Sequence, residues 1–294
     1  MRTALLAFLS VSALSYAQSV ISAHSGVVQY VEGDVMIDNQ SIQPKFAEFP
    51  EVKPNQTIAT EEGRVELLLT PGVFLRLSEN SSVRMISNSL SDTRLAMVSG
   101  SALIEVAELL PNNSITFEAA RTSVVLPHKG LYRIDADPAR FRVYDGQATV
   151  AGTMVHKGRE VALGADAAVA TNFDIKDTDS FYRWSARRAE YVAEANVESA
   201  RVASNPMSSG YTEGVGSQNG RWSWNPGFGM FTYLPASGMY NSPFGSTYYS
   251  TMIAPAYVAM SAPSLGRTTS VAPVAAFPAG RSMGAPTSAV RRAR

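Results

Sequence analysis

The chain has 294 residues, carries 25 basic and 25 acidic side chains, and contains no cysteine. That length allows one domain of ordinary size with appendages, while the lack of thiols excludes disulfides and a lipid carried on a cysteine. The zero net charge hides an asymmetry. Acidic residues outnumber basic ones from Gln18 to Ser204, whereas Asn205 to Arg294 holds Arg221, Arg267, Arg281, Arg291, Arg292 and Arg294 against Glu213 alone. This positive charge is too sparse for a nucleic-acid footprint, so no nucleic-acid partner is expected.

Met1-Arg2-Thr3, the apolar stretch Ala4 to Leu14, and Ser15-Tyr16-Ala17 have the layout of a secretory signal peptide. The apolar stretch is too short to span a bilayer, and no later one reaches that length. The expected mature protein begins at Gln18 and works in the periplasm or outside the cell.

Residues 18–176 read as a β domain. Gly26 to Val31 is β-prone. Arg64 to Leu69 and Val73 to Leu77 flank Thr70-Pro71-Gly72, which is a hairpin signal. Short β-prone runs continue through Ser82 to Ile86, Leu95 to Val98, Ala102 to Val106, Ile115 to Phe117 and Val124 to Leu126. Leu131 to Ile134, Phe141 to Tyr144 and Ala148 to Val150 complete the series, with Asp145-Gly146 as a tight-turn candidate. The expected fold is all-β, an antiparallel β-sandwich or roll, because no helical stretches separate the strands as parallel α/β architecture requires.

Residues 177–204 lack Gly and Pro and read as one α-helix, with Asp177, Thr178 and Asp179 as N-cap candidates. Phe181, Trp184, Tyr191, Val192 and Ala195 share one face. Arg188 interrupts that stripe and is expected to lay its stem along it with the charge reaching outward. Glu190, Glu194 and Arg201 are expected in water.

Residues 205–260 are rich in Gly, Pro and aromatics, with few regular elements expected. Residues 261–294 form a low-complexity tail with the composition of disorder. Trp222, Trp224, Phe228, Phe231 and Tyr233 carry too much apolar surface for a plain linker. They are the candidate binding residues, either docking on an envelope protein or polysaccharide or filling a groove of the chain's own β domain.

The sequence points to no catalytic, cofactor or metal site. His24, His128 and His156 are widely spaced, and no nucleophile elbow, P-loop or dinucleotide fingerprint occurs. Asp135 and Asp137 around Ala136 read as a surface turn, and Asp174, Asp177 and Asp179 as helix-capping charge. A calcium loop would need a Gly and a Glu in register that are missing.

The order of motifs resembles the FecR domain family. Gly26-Val27, Gly33-Asp34-Val35 and Pro54 to Thr60 come first, the last with Asn55-Gln56 where Gly-Asp is usual. Gly63 to Leu67, Pro71 to Leu77, Val98 to Ala102 and His128 to Ile134 follow, then Val143 to Val150 and Lys157 to Val161. Phe181 to Arg188, Tyr211 and the Trp222 to Pro226 run resemble exported FecR-domain proteins with an aromatic extension. The resemblance implies an all-β fold, a bacterial envelope location and a binding role without catalytic residues. The cytoplasmic segment and membrane helix of the iron-transport regulators are not seen before the domain, so sigma-factor regulation is not implied. The expected function is an exported, non-enzymatic binding or envelope-associated module, possible roles being signalling or protein and polysaccharide interaction. A secreted carbohydrate-active enzyme is the alternative; it would need two carboxylates facing one cleft.

Overall fold

A computed structural model describes residues 24–43, 48–165, 167–204 and 220–253. The expected signal peptide and its cleavage site, Tyr211 and the 261–294 tail lie outside these residues. The strands before the helix are β1 Val27–Ile37, β2 Gln40–Ser41, β3 Thr57–Leu68, β4 Val73–Leu77, β5 Ser82–Ser89, β6 Asp92–Ser99, β7 Ser101–Val106 and β8 Ile115–Ala119. They continue as β9 Thr122–Val125, β10 Gly130–Ala136, β11 Ala139–Asp145, β12 Gln147–Val150, β13 Thr153–His156, β14 Arg159–Ala162 and β15 Ala170–Asn172. Helix α1 spans Ser180–Ala203, and β16 Arg221–Asn225, β17 Met230–Leu234, β18 Met239–Asn241 and β19 Thr247–Tyr249 follow it.

The first 15 strands form one sheet, ordered β13-β12-β9-β8-β6-β5-β3-β4-β7-β10-β11-β14-β15, with β1 and β2 attached through β3. The domain is all-β with one helix, as the sequence predicts. Its pairings are antiparallel except for β6 with β8. Strand β3 links the two halves: Thr57 to Ala59 pair with β5, and Val65 to Leu68 pair with β4. The Pro71-Gly72 hairpin forms where predicted, with Leu68 opposite Phe74. Asp145-Gly146 also turns, but β11 and β12 do not pair, because the chain crosses there to the other half of the sheet. It returns after β13, where the Gly158 N–H donates to the Val143 carbonyl at 2.8 Å, so the sheet nearly closes on itself.

Gly33 and Gly63 face each other where β1 and β3 bend. A Cβ on Gly33 would collide with the Glu62 carbonyl oxygen, and one on Gly63 would lie 2.5 Å from that of Glu32. Only glycine permits this approach.

The inner face of the sheet supplies the main core, with Val65, Leu67, Leu75, Leu77, Ile104 and Val106 among its members. The opposite face of β3, β4 and β7 carries Glu66, Leu68, Phe74, Arg76, Leu103 and Glu105, and these are buried too. Burial on both faces accounts for the nearly unbroken apolar runs of Arg64 to Leu69 and Val73 to Leu77.

The second face is covered by α1 and the hairpins β16–β17 and β18–β19. Asp179 caps α1, its Oδ1 accepting from the Tyr182 N–H at 2.8 Å. Phe181, Trp184, Val192 and Ala195 point inward, and Glu190, Glu194 and Arg201 are exposed as predicted. Two expectations fail. Arg188 is buried at the centre of the stripe with its charge directed inward, and this turns Tyr191 to the edge, where it is 46% exposed. The segment expected to hold few regular elements contains two hairpins, because its aromatic rings find apolar surface to cover.

Candidate functional site

At the centre of the covered face, β3 and β4 place Glu66 directly opposite Arg76, and Glu105 follows on β7. Arg76 Nε donates to Glu66 Oε2 and its Nη1 to Glu105 Oε2, both at 2.7 Å. All three side chains are 0% exposed. From α1, Arg188 Nη2 donates to Glu66 Oε1 at 2.9 Å, and the Ser242 hydroxyl donates to Glu105. Gln29 on β1 links two layers: its Nε2 donates to Glu66 Oε1 at 3.1 Å while its Oε1 accepts from the Phe231 N–H at 3.0 Å. Two carboxylates thus balance two guanidiniums.

Burial pushes the Glu66 carboxyl up, but the charges of Arg188 and Arg76 outweigh it and hold the group at about 2. Burial also works against the Arg76 cation, yet Glu66 and Glu105 prevail and raise its value. Burial and the negative charge of Glu105 push the Tyr248 hydroxyl well above its ordinary value.

A second ionic cluster joins the sheet to the start of α1. Asp135 Oδ1 accepts from Arg133 Nε at 2.8 Å and from the Ser101 hydroxyl at 2.6 Å. Its Oδ2 accepts from Arg142 Nη2 at 2.6 Å and Arg140 Nε at 3.2 Å. Arg133 Nη1 reaches Asp179 Oδ2 at 2.5 Å. Asp135 is 4% exposed, which corrects its reading as a surface-turn carboxylate; Asp137 alone lies in the exposed turn with Pro138. Burial pushes Asp135 up, and Arg133, Ser101 and Arg142 together bring it below the usual carboxylate range. Burial likewise works against the Asp179 charge, but the Tyr182 N–H and Arg133 prevail and hold it low.

The five aromatic candidates divide. Trp222, Phe231 and Tyr233 are buried against the β domain, with Trp222 5.1 Å from Phe74 between ring centroids. They fill the chain's own groove and are not available to an outside molecule. Trp224 and Phe228 are half-buried at the rim, beside Phe49 and Tyr191 respectively. Phe49 meets Trp224 at 69° and Tyr191 meets Phe228 at 67°, the edge-to-face geometry of packed rings rather than a flat platform for a sugar. Sequence reasoning missed Phe49, Tyr191 and Tyr30 as rim residues, since no local pattern relates them to the Trp222 to Tyr233 run.

The remaining candidates have local roles. Asp174 Oδ1 accepts from the Lys176 N–H at 2.9 Å within a turn. His24, His128 and His156 are exposed and unrelated in space to a ligand set, and among the described residues no group of three side chains could hold a metal. A groove of about 410 Å³ lies beside the β1–β2 turn, lined by Asp38, Gln40, Ser41, Glu51, Lys53 and Gln56. Asp38 and Asn39 both take positive φ there, at 48° and 64°. Adjacent Asp and Asn between β-prone residues was a usable turn signal.

No protein-family model matches the chain, and no curated protein matches it. Two solved structures do match, at 1.65 and 2.50 Å resolution, both of a candidate anti-sigma factor from Parabacteroides distasonis ATCC 8503. Their sequence identities are 13% and 15% and their TM-scores 0.36 and 0.35, each over 41% of this chain. The chain spans 61% of the length of those neighbours.

Proposed function

We propose that this chain is an exported, non-enzymatic binding module of the bacterial envelope, a FecR-like β domain with its aromatic extension folded onto it. The observation that carries this reading is the condition of the carboxylates. Glu66, Asp135 and Asp179 are each fixed by arginine, and each is held below its ordinary value. Glycoside hydrolysis needs one carboxyl held up as a proton donor opposite a second. These groups are counter-ions that tie layers together, which is a scaffold's use of charge. The Met1 to Ala17 layout supports export. Trp224, Phe228 and Tyr191 are the aromatic rim residues that keep part of their surface exposed, and we assign partner contact to them.

The test is to present the purified full chain to a glycan panel and to envelope extract, with binding and bond cleavage measured in parallel. The reading predicts saturable binding that Trp224→Ala with Phe228→Ala weakens, and no hydrolysis. Turnover of any glycan that disappears with Asp135→Asn in a folded protein would overturn it.

A further inference from the structure

The Arg188 guanidinium sits in a receptor built mostly by the sheet, with Tyr191 of α1 itself at its edge. Its Nη2 donates to Glu66 Oε1 at 2.9 Å. Its central carbon lies 3.9 Å from the ring centroid of Tyr30 and 5.8 Å from that of Tyr191. A carboxylate beside an aromatic face suits a planar, weakly hydrated guanidinium better than a compact, strongly hydrated ammonium. Glu66 belongs to β3, and Gln29 and Tyr30 to β1, so the receptor is a feature of the sheet. Its groups are held from other directions: Arg76 fixes the second Glu66 oxygen at 2.7 Å, and the Phe231 N–H fixes the Gln29 side-chain Oε1.

Charge gives the same answer. Without Arg188, Glu66 and Glu105 face Arg76 alone, which leaves one buried negative charge without a partner. Such a site demands a cation. Arg188 keeps 9% of its side-chain surface exposed, beside the half-buried Tyr30 and the exposed Tyr191.

We infer that Gln29, Tyr30 and Glu66 form an arginine-recognition site on the sheet, and that α1 fills it in cis with Arg188 as an internal ligand. The ligand class is the guanidinium group of an arginine in a protein segment. This inference does not depend on where the protein works or on what the aromatic rim binds.

The experiment is chemical rescue in the full chain. Arg188→Ala lowers the melting temperature, and millimolar methylguanidinium should restore part of the loss with saturation, while equimolar methylammonium should not. Wild type should respond to neither. An equal response to both cations, or none, overturns the site. Should Arg188→Ala not fold, Arg188→Lys carries the test through a double-mutant cycle with Tyr30→Leu. Tyr30→Leu should lower the melting temperature of wild type more than that of the Arg188→Lys variant. Equal losses in the two backgrounds contradict a guanidinium-specific stack.

Discussion

Glu66 and Arg188 are 122 positions apart in the chain, yet they meet at 2.9 Å, with Glu66 fully buried and Arg188 nearly so. One partner stands near the C-terminal end of β3 and the other on the inward face of α1. Their contact joins the helix to the sheet, and Gln29 extends the link to β17 through the Phe231 N–H. Removing one member of a buried ion pair leaves an uncompensated charge, at a cost of about 3–5 kcal/mol. The extension is therefore part of the domain's interior.

Acid should loosen the structure in a defined window. Glu66 is held at about 2 against an ordinary 4.5, and Asp135 and Asp179 are held below 3.8. A carboxyl with a depressed folded value contributes its stability above the unfolded value and loses it as pH falls toward the folded one. The melting temperature should show no loss from these groups near neutrality and fall as pH drops from 4.5 toward 2. Glu66→Gln should flatten part of that slope. Equal stability at about pH 3 and pH 7 would contradict the assignment.

Asp135 and Asp137 should behave very differently despite their spacing. Asp135→Asn leaves Arg133 and Arg142 short of their shared acceptor and should destabilise by about 3 kcal/mol. Asp137→Asn in the exposed turn should stay within about 0.5 kcal/mol. Urea unfolding of both single variants measures the contrast, and similar losses would refute the placement of Asp135.

The tryptophans offer a parallel contrast. Trp222→Ala empties a fully enclosed site against Phe74 and Tyr233 and should cost about 3–5 kcal/mol. Trp224→Ala at the rim should cost clearly less, since part of its ring surface is already in water. Both variants should melt in one transition if the hairpins belong to the β domain. A separate early transition that only Trp222→Ala moves would indicate an independent appendage.

Export should remove the first seventeen residues. N-terminal sequencing of the exported protein should begin at Gln18; mature material that retains Met1 would oppose the signal-peptide reading.

Local signals were legible in the sequence. The Pro71-Gly72 hairpin, the existence of α1 and a cap among Asp177, Thr178 and Asp179 follow from turn chemistry and helical spacing; the choice of Asp179 and the start at Ser180 do not. Long-range relations were not. Nothing near Thr93 or Ile115 announces that β6 and β8 run parallel, nor does Asp145-Gly146 reveal that its strands part company. Single charges at Glu66, Arg76 and Glu105 inside apolar runs suggest water on one face, and only the fold brings them together. The apolar neighbours on both sides of each charge were the usable signal: such strands are buried twice, and a charge there needs a partner. Arg188 in an otherwise apolar helical stripe was the matching half of that signal.

Native-state hydrogen exchange tests the central claim most directly, because it reads the stability of each element in the intact chain. If the extension is part of the domain's interior, the amides of Phe231 and of its neighbours in β17 should open with about the same free energy as those of Val73 to Leu77 in β4. Exchange in β16 and β17 that is orders of magnitude faster than in β4, under the same conditions, would mean that the cover opens on its own and would contradict the account.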